Sequence, residues 1–214
     1  MTSLNQENIQ TVTLGMGCFW SPDALFGHMA GIVRTRVGYA GGTTADPTYH
    51  QLGDHSETVE MDFDPEIVSL DSIVNVFWDN HNPQNINDYK GRQYRSILLY
   101  RDEMQLGVIR NVLQHREQLG NGRPDTEVAP FVRFYRAEDR HQKYYLKRFP
   151  DAYGKLSTLY PSHEDLVNST LAARLNGVAK GYVNLTRIVE EIEAWPIEEE
   201  ERGQLIRLIR QIKW

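Results

Sequence analysis

Cys18 is the only cysteine in the chain, and its setting is that of a reactive thiol. It stands in Gly15-Met16-Gly17-Cys18-Phe19-Trp20. Residues 11–16 before it alternate polar and apolar as a strand does. Ser21-Pro22 after it reads as a helix start, with serine at the N-cap and proline in the first helical position. The open N–H groups of a helix start favour a thiolate over a thiol, so this placement suits a nucleophile. Gly15 and Gly17 let the backbone bend sharply and let a ligand come close. Phe19 and Trp20 set two aromatic faces beside the sulfur. The plainer alternative is a small side chain buried in a core.

Two further segments offer partners. The first runs through Val37-Gly38-Tyr39-Ala40-Gly41-Gly42, then Asp46-Pro47-Thr48-Tyr49, then Gly53-Asp54-His55-Ser56-Glu57. A glycine turn and a polar loop there carry two tyrosines, a histidine and a glutamate, and loops on a rigid scaffold are where sites are built. Taken singly, each residue is a turn former or a solvated polar group. The second is Gln93-Tyr94-Arg95-Ser96, which leads into a short apolar strand. A metal site from Asp54, His55 and Glu57 is disfavoured, because near neighbours in one loop rarely provide the geometry. Seven histidines are present, and no spacing singles one out as the base of a cysteine-histidine hydrolase.

The elements that must hold these groups follow from periodicity. Residues 32–39 and 58–63 alternate as strands, the first with Val33 and Val37 on one face, the second with Val59, Met61 and Phe63 on one face. Ile73, Val74, Phe77 and Trp78 recur at helical spacing. Residues 96–100 form a short strand, residues 104–119 a helix, residues 127–135 a strand that Pro130 confines to an edge or a bulge, and residues 138–147 a helix. The order β, α, β, β, α, β, α, β, α predicts an α+β sandwich of helices on a largely antiparallel sheet. Beyond about residue 153 the texture becomes helical. Leu171, Leu175 and Val178 share a face. Leu205, Leu208, Ile209 and Ile212 form a stripe opposite Arg207 and Arg210, after Pro196 and an acidic run that suits a helix start. We read residues 155–214 as a helical extension packed on the core that precedes it. A partner-binding helix pair is the other reading of that stripe.

Composition bounds the function. The 214 residues are 40% hydrophobic and 24% charged, as in a globular chain of about 1.4 domains. The net charge of -6 argues against nucleic acid as a partner, which calls for a basic face. No apolar run is long enough to span a membrane. The opening MTSLNQENIQ has no basic cluster and no apolar core, which predicts no signal peptide. A single cysteine excludes an intrachain disulfide and makes a reducing cytoplasm the expected compartment.

Together the segments resemble the A-type peptide methionine sulfoxide reductases. Gly17-Cys18-Phe19-Trp20, Gly38-Tyr39-Ala40-Gly41-Gly42, Asp46-Pro47-Thr48-Tyr49, His55-Ser56-Glu57 and Gln93-Tyr94-Arg95-Ser96 stand in that family's order and approximate spacing. Residues 134–142, Phe-Tyr-Arg-Ala-Glu-Asp-Arg-His-Gln, resemble a later block of the same family. The resemblance covers about residues 10–154. It implies a two-layer plait with a ferredoxin-like core, and reduction of the S epimer of methionine sulfoxide, free or in peptides. It implies Cys18 as the nucleophile and Glu57 as the general acid, its carboxyl kept protonated by burial. Tyr49 and Tyr94 would bind the sulfoxide oxygen, Phe19 and Trp20 would hold the methyl group, and His55 would be structural. No bound cofactor is implied.

Three departures from the family pattern stand out. Asp23 occupies the place of a glutamate, in what should be the first turn of a helix. In Asn87-Asp88-Tyr89-Lys90-Gly91-Arg92-Gln93-Tyr94 one extra residue follows Asp88, the equivalent of an aspartate that helps position the site. The cysteines with which many relatives resolve the sulfenic acid are missing, so an external thiol is required: thioredoxin, glutathione with glutaredoxin, or a small thiol. Two rival readings are a different thiol enzyme, which would consume peroxide faster than sulfoxide, and a binding module that kept the pocket and lost turnover.

Overall fold

In the computed structural model, which describes residues 8–86, 88 and 91–214, a strand carries the chain up to Cys18 and a helix carries it away. Residues 1–7, most of the segment expected to lack a signal, lie outside the described residues, as do Asn87, Tyr89 and Lys90 of the departing loop. The first half is β1 (Gln10–Met16), α1 (Trp20–Gly27), β2 (Ile32–Ala40), β3 (Ser56–Phe63), α2 (Leu70–Asp79), β4 (Ser96–Tyr100) and α3 (Glu103–Gln118). Then come β5 (Glu127–Pro130) and β6 (Phe134–Arg136). The strands form one six-stranded sheet in the order β5-β4-β1-β3-β2-β6. Neighbours are antiparallel except β4 and β5, which are parallel. The chain is mixed α+β, as the order of its periodic segments predicts.

The single strand expected over residues 127–135 is two strands on opposite edges of that sheet. Pro130 ends pairing with β4, and the Phe131 N–H closes on the Tyr100 carbonyl at 2.8 Å. Three residues later the chain pairs with β2, Phe134 opposite Ala40. Six flat strands would hold their outer members about 24 Å apart. Residues 131–133 reach across at most about 14 Å. The sheet therefore curls until its edges approach, and Ala40, Ile97, Leu99 and Phe134 pack together inside the curl. Its outer face carries the main core, where Val12, Leu14, Val59 and Met61 meet Phe77 of α2 and Ile109 of α3. On β2 a register shift falls between Ile32 and Arg34. It takes Val33 out of phase, so Ile32 joins that core while Val37 packs with Phe19 and Tyr39.

Residues 138–147, expected as one helix, are a 3₁₀ turn (Asp139–His141) and a short helix α4 (Tyr144–Lys147). The break has two causes. Gln142 turns inward, accepting from the Val37 N–H at 3.0 Å and donating to the Val37 carbonyl at 2.8 Å, so its amide pairs with β2 as a strand would. Lys143 is left-handed, with φ 52°.

The remainder is helical: α5 (Pro150–Ser157), α6 (His163–Val167), α7 (Thr170–Lys180), α8 (Leu185–Glu193) and α9 (Glu199–Arg210). Leu171, Leu175, Leu205 and Ile209 lie in one core with Ile188 and Trp195. Helix α7 also lies against α1. The two backbones are so close that a Cβ at Gly177 would sit 2.4 Å from the His28 Cβ. Thus the helix that starts behind Cys18 is clasped by α7.

Candidate active site

Cys18 is half-buried in the tight link between β1 and α1. Gly17 makes the link possible with φ 101°, where a side chain would be strained and would meet Ile86. The helix begins at Trp20, ahead of the Ser21-Pro22 start that composition suggests, with Phe19 at the N-cap and no side chain capping it. Its first N–H groups are therefore open donors. The Phe19 N–H goes to Glu57 Oε2 at 3.1 Å, and the Trp20 N–H goes to the Cys18 sulfur. One helix end thus holds both the thiol and the carboxyl.

Glu57 reaches this point from β3, fully buried. Its Oε1 accepts from the Gln93 side-chain amide at 2.8 Å, and its own N–H donates to the Gln93 carbonyl at 2.8 Å. Burial raises the carboxyl above the usual carboxylate value, against the pull of the Gln93 amide and the Phe19 N–H. Burial likewise pushes the Cys18 thiol up, the Trp20 N–H draws it back, and the Glu57 charge adds to the rise. The helix start does draw the thiol down through the Trp20 N–H, and burial outweighs that pull.

The two tyrosines meet here. Tyr94 and Tyr49 are joined through their side chains, and burial followed by the nearby Glu57, Tyr49 and Cys18 raises the Tyr94 hydroxyl. Tyr49 is held by its backbone N–H on Glu138 Oε1 at 3.1 Å. The other Glu138 oxygen accepts from the buried Tyr39 hydroxyl at 2.6 Å. Trp20 stacks on Tyr144 with centroids 3.7 Å apart and donates its indole N–H to His141 at 3.2 Å. Phe19 lies behind it, sealed with Val37, Tyr39 and Ala137, which makes Trp20 the aromatic face of the pair that solvent reaches.

Cys18, Glu57, Tyr49 and Tyr94 are therefore gathered, with Trp20 alongside. Asp88 is placed differently. It is exposed, with φ 57°, and its carboxylate accepts from the Asn85 amide at 3.0 Å. It braces the loop carrying Asn85 and Ile86, which wall the Cys18 cleft. His55 is buried and ties a loop, accepting from the Gly42 N–H at 3.1 Å and meeting the Thr44 carbonyl at 2.8 Å. Gln93, Glu138, His141 and Tyr144 carry parts that spacing alone does not assign. The signal available for Gln93, Glu138 and His141 is that they stand in the quoted motifs. Among the described residues no group of acidic, histidine and cysteine side chains is arranged to hold a metal ion.

Asp23 lies in the first turn of α1 as expected, but fully buried. It accepts from Lys143 Nζ at 2.8 Å, Thr35 Oγ1 at 2.5 Å and Asn176 Nδ2 at 3.1 Å. Lys143 is fully buried as well. This pair joins α1, β2, α4 and α7. Lys143→Met should cost about 3–5 kcal/mol, because it strands a buried carboxylate. Urea unfolding checks this, and pairing it with Asp23→Asn should recover part of the loss.

The family model for peptide methionine sulfoxide reductase matches residues 10–174. A peptide methionine sulfoxide reductase of Drosophila melanogaster is 40% identical over 184 residues, covering 86% of this chain and 73% of that protein. One from Photobacterium profundum is 39% identical, covering 71% of this chain and 79% of that one. Among solved structures, methionine sulfoxide reductase A of Corynebacterium diphtheriae is similar with a TM-score of 0.58 and 32% identity, over 69% of this chain and 78% of that one. Reduced Mxr1 of Saccharomyces cerevisiae is similar with a TM-score of 0.61 and 25% identity, over 70% of this chain and 91% of that one.

Proposed function

The chain belongs to the peptide methionine sulfoxide reductase family, whose members reduce methionine sulfoxide with electrons from thiols, and from that membership we infer how its own residues divide the chemistry. The observation that carries the reading is the convergence of Cys18, Glu57, Tyr49 and Tyr94 on one helix start. Cys18 and Glu57 form a coupled pair that holds one proton in the reactive state. With the proton on Glu57, the sulfur is a thiolate and the carboxyl is an acid. The thiolate attacks the sulfoxide sulfur, and Glu57 protonates its oxygen. Tyr49 and Tyr94 donate to that oxygen as charge develops on it. Trp20, backed by Phe19, supplies the apolar surface for the methyl group.

The thioether leaves, and the oxygen remains on Cys18 as a sulfenic acid. One external thiol displaces it as water, forming a mixed disulfide, and a second thiol releases Cys18. The sum is sulfoxide plus two thiols giving thioether, disulfide and water. No second cysteine exists in the chain to replace the first thiol. Thioredoxin, or glutathione with glutaredoxin, is the proposed donor. A single free thiol suits a reducing cytoplasm, and no helix among the described residues is long and apolar enough to cross a membrane. Asp88 acts on the site indirectly, by bracing Asn85.

The βαββαβ order of the first four strands, adjacent as β4-β1-β3-β2, supports a ferredoxin-like plait at the centre of the sheet. The helical core of α5–α9 supports residues 155–214 as an extension of a catalytic unit over residues 10–154, docked on α1 through α7. The test is turnover of the two separated sulfoxide epimers with each reductant. The S epimer should be consumed and the R epimer left. Turnover of the R epimer alone, or no multiple turnover with any thiol, contradicts the reading.

A further inference from the structure

A chain of side-chain hydrogen bonds that the chemistry leaves unused runs from the end of α2 to the start of β4. His81 stands just past the last turn of α2 and packs its ring on Phe77, with centroids 4.5 Å apart. Its Nδ1 meets the Phe77 carbonyl at 2.7 Å, and its Nε2 meets Ser96 Oγ at 2.7 Å. Ser96 Oγ lies 2.7 Å from Thr126 Oγ1, which accepts from the Trp78 indole N–H at 2.9 Å. Trp78 and Ser96 are buried.

The two ends of the chain fix the protons within it. A carbonyl only accepts, so His81 carries its proton on Nδ1. Burial holds the imidazole below its ordinary value, against the pull of the Phe77 carbonyl. Near neutral pH the ring is therefore uncharged, and Nε2 is an acceptor. Ser96 must then donate to His81, and Thr126 to Ser96. An indole N–H only donates, which closes the other end on Thr126. His81 thus sets the direction in which the Ser96 hydroxyl points.

What this chain anchors is the segment leading into β4. Ser96 opens that strand, opposite Met16 of β1. Cys18 follows Met16 by two residues, and Tyr94 precedes Ser96 by two. Gln93, whose amide and carbonyl hold Glu57, is one residue further back. The backbone pairing of β4 with β5 starts at Ile97 and Glu127, and the Ser96–Thr126 bond carries it one step nearer to Tyr94. We propose that His81 is a positioning residue for the reduction: through Ser96 it fixes the segment from which Tyr94 reaches the sulfoxide oxygen and Gln93 holds Glu57. The proposal rests on the reductase reading and adds to it a residue that works through another.

Two amide variants separate the two ring nitrogens. In His81→Asn the carboxamide reaches only as far as Nδ1, so it donates to Phe77 and offers Ser96 nothing. In His81→Gln the longer side chain brings a carboxamide oxygen to the place of Nε2, where it accepts from Ser96. The test measures reduction of the S-sulfoxide at saturating thiol by both variants, by Ser96→Ala and by wild type, with alkylation of Cys18 by iodoacetamide run on each. His81→Asn and Ser96→Ala should lower kcat roughly tenfold with KM little changed, the pattern of contacts that strengthen in the transition state. His81→Gln should keep kcat close to the wild-type value, and Cys18 alkylation should match wild type in all three. A glutamine variant as slow as the asparagine one overturns the proposal. So does an unchanged kcat in both His81→Asn and Ser96→Ala, a loss carried by KM, or a parallel slowing of Cys18 alkylation, which would mean that His81 serves the thiol. A wild type that reduces neither sulfoxide epimer overturns the reductase reading itself, a separate result.

Discussion

Cys18→Ser should abolish methionine formation, a loss on the order of a thousandfold or more, while leaving the fold intact. The hydroxyl has the shape to sit in the link between β1 and α1 and to accept the Trp20 N–H. It lacks the polarizable sulfur that attacks and then holds the oxygen. With one cysteine in the chain, no other side chain supplies a substitute. The check is methionine released from the S-sulfoxide over many turnovers, with urea unfolding as the control. Retained activity in the serine variant would place the chemistry elsewhere.

Glu57→Gln should slow reduction by roughly 10²–10⁴-fold, the usual contribution of a positioned acid. The amide keeps the size of the carboxyl but holds no transferable proton. Its effect on the sulfur runs the other way. The Glu57 charge raises the Cys18 thiol, so removing it lowers the thiol, and alkylation of Cys18 near neutral pH should be as fast or faster. An equal slowing of both reactions would mean that Glu57 serves the thiol and not the oxygen. The pH profile carries the same information. In the wild type the rate should fall at high pH as the Cys18–Glu57 pair loses its shared proton, and the glutamine variant should lack that limb. Stability follows in sign. Folded Glu57 holds its proton more tightly than in the unfolded chain, so the fold loses stability as pH rises through that interval. The glutamine variant should not show this loss.

What the sequence makes legible is local. Gly17-Cys18-Phe19-Trp20 announces a strand-to-helix link, and the loop blocks carrying Tyr49, Glu57 and Tyr94 announce partners. The hydrogen bond that joins the first two blocks spans the gap from Phe19 to Glu57, and only strand pairing creates it. Periodicity cannot say which sheet edge a segment joins, so residues 127–135 read as one strand although Pro130 divides them. Nor does it show Lys143 turning inward, since a lysine at helical spacing reads as solvated until Asp23 and Thr35 appear around it. The helix start beside Cys18 is visible in sequence, and the depth of burial that raises the thiol is not.

The most direct measurement is one turnover without reductant. Wild-type protein is mixed with excess S-sulfoxide, and Cys18 is then treated with a dicarbonyl probe selective for sulfenic acids. The account predicts one methionine per chain and the probe on Cys18, in step. Methionine formed without oxidation of Cys18, or Cys18 oxidised without methionine, would contradict it.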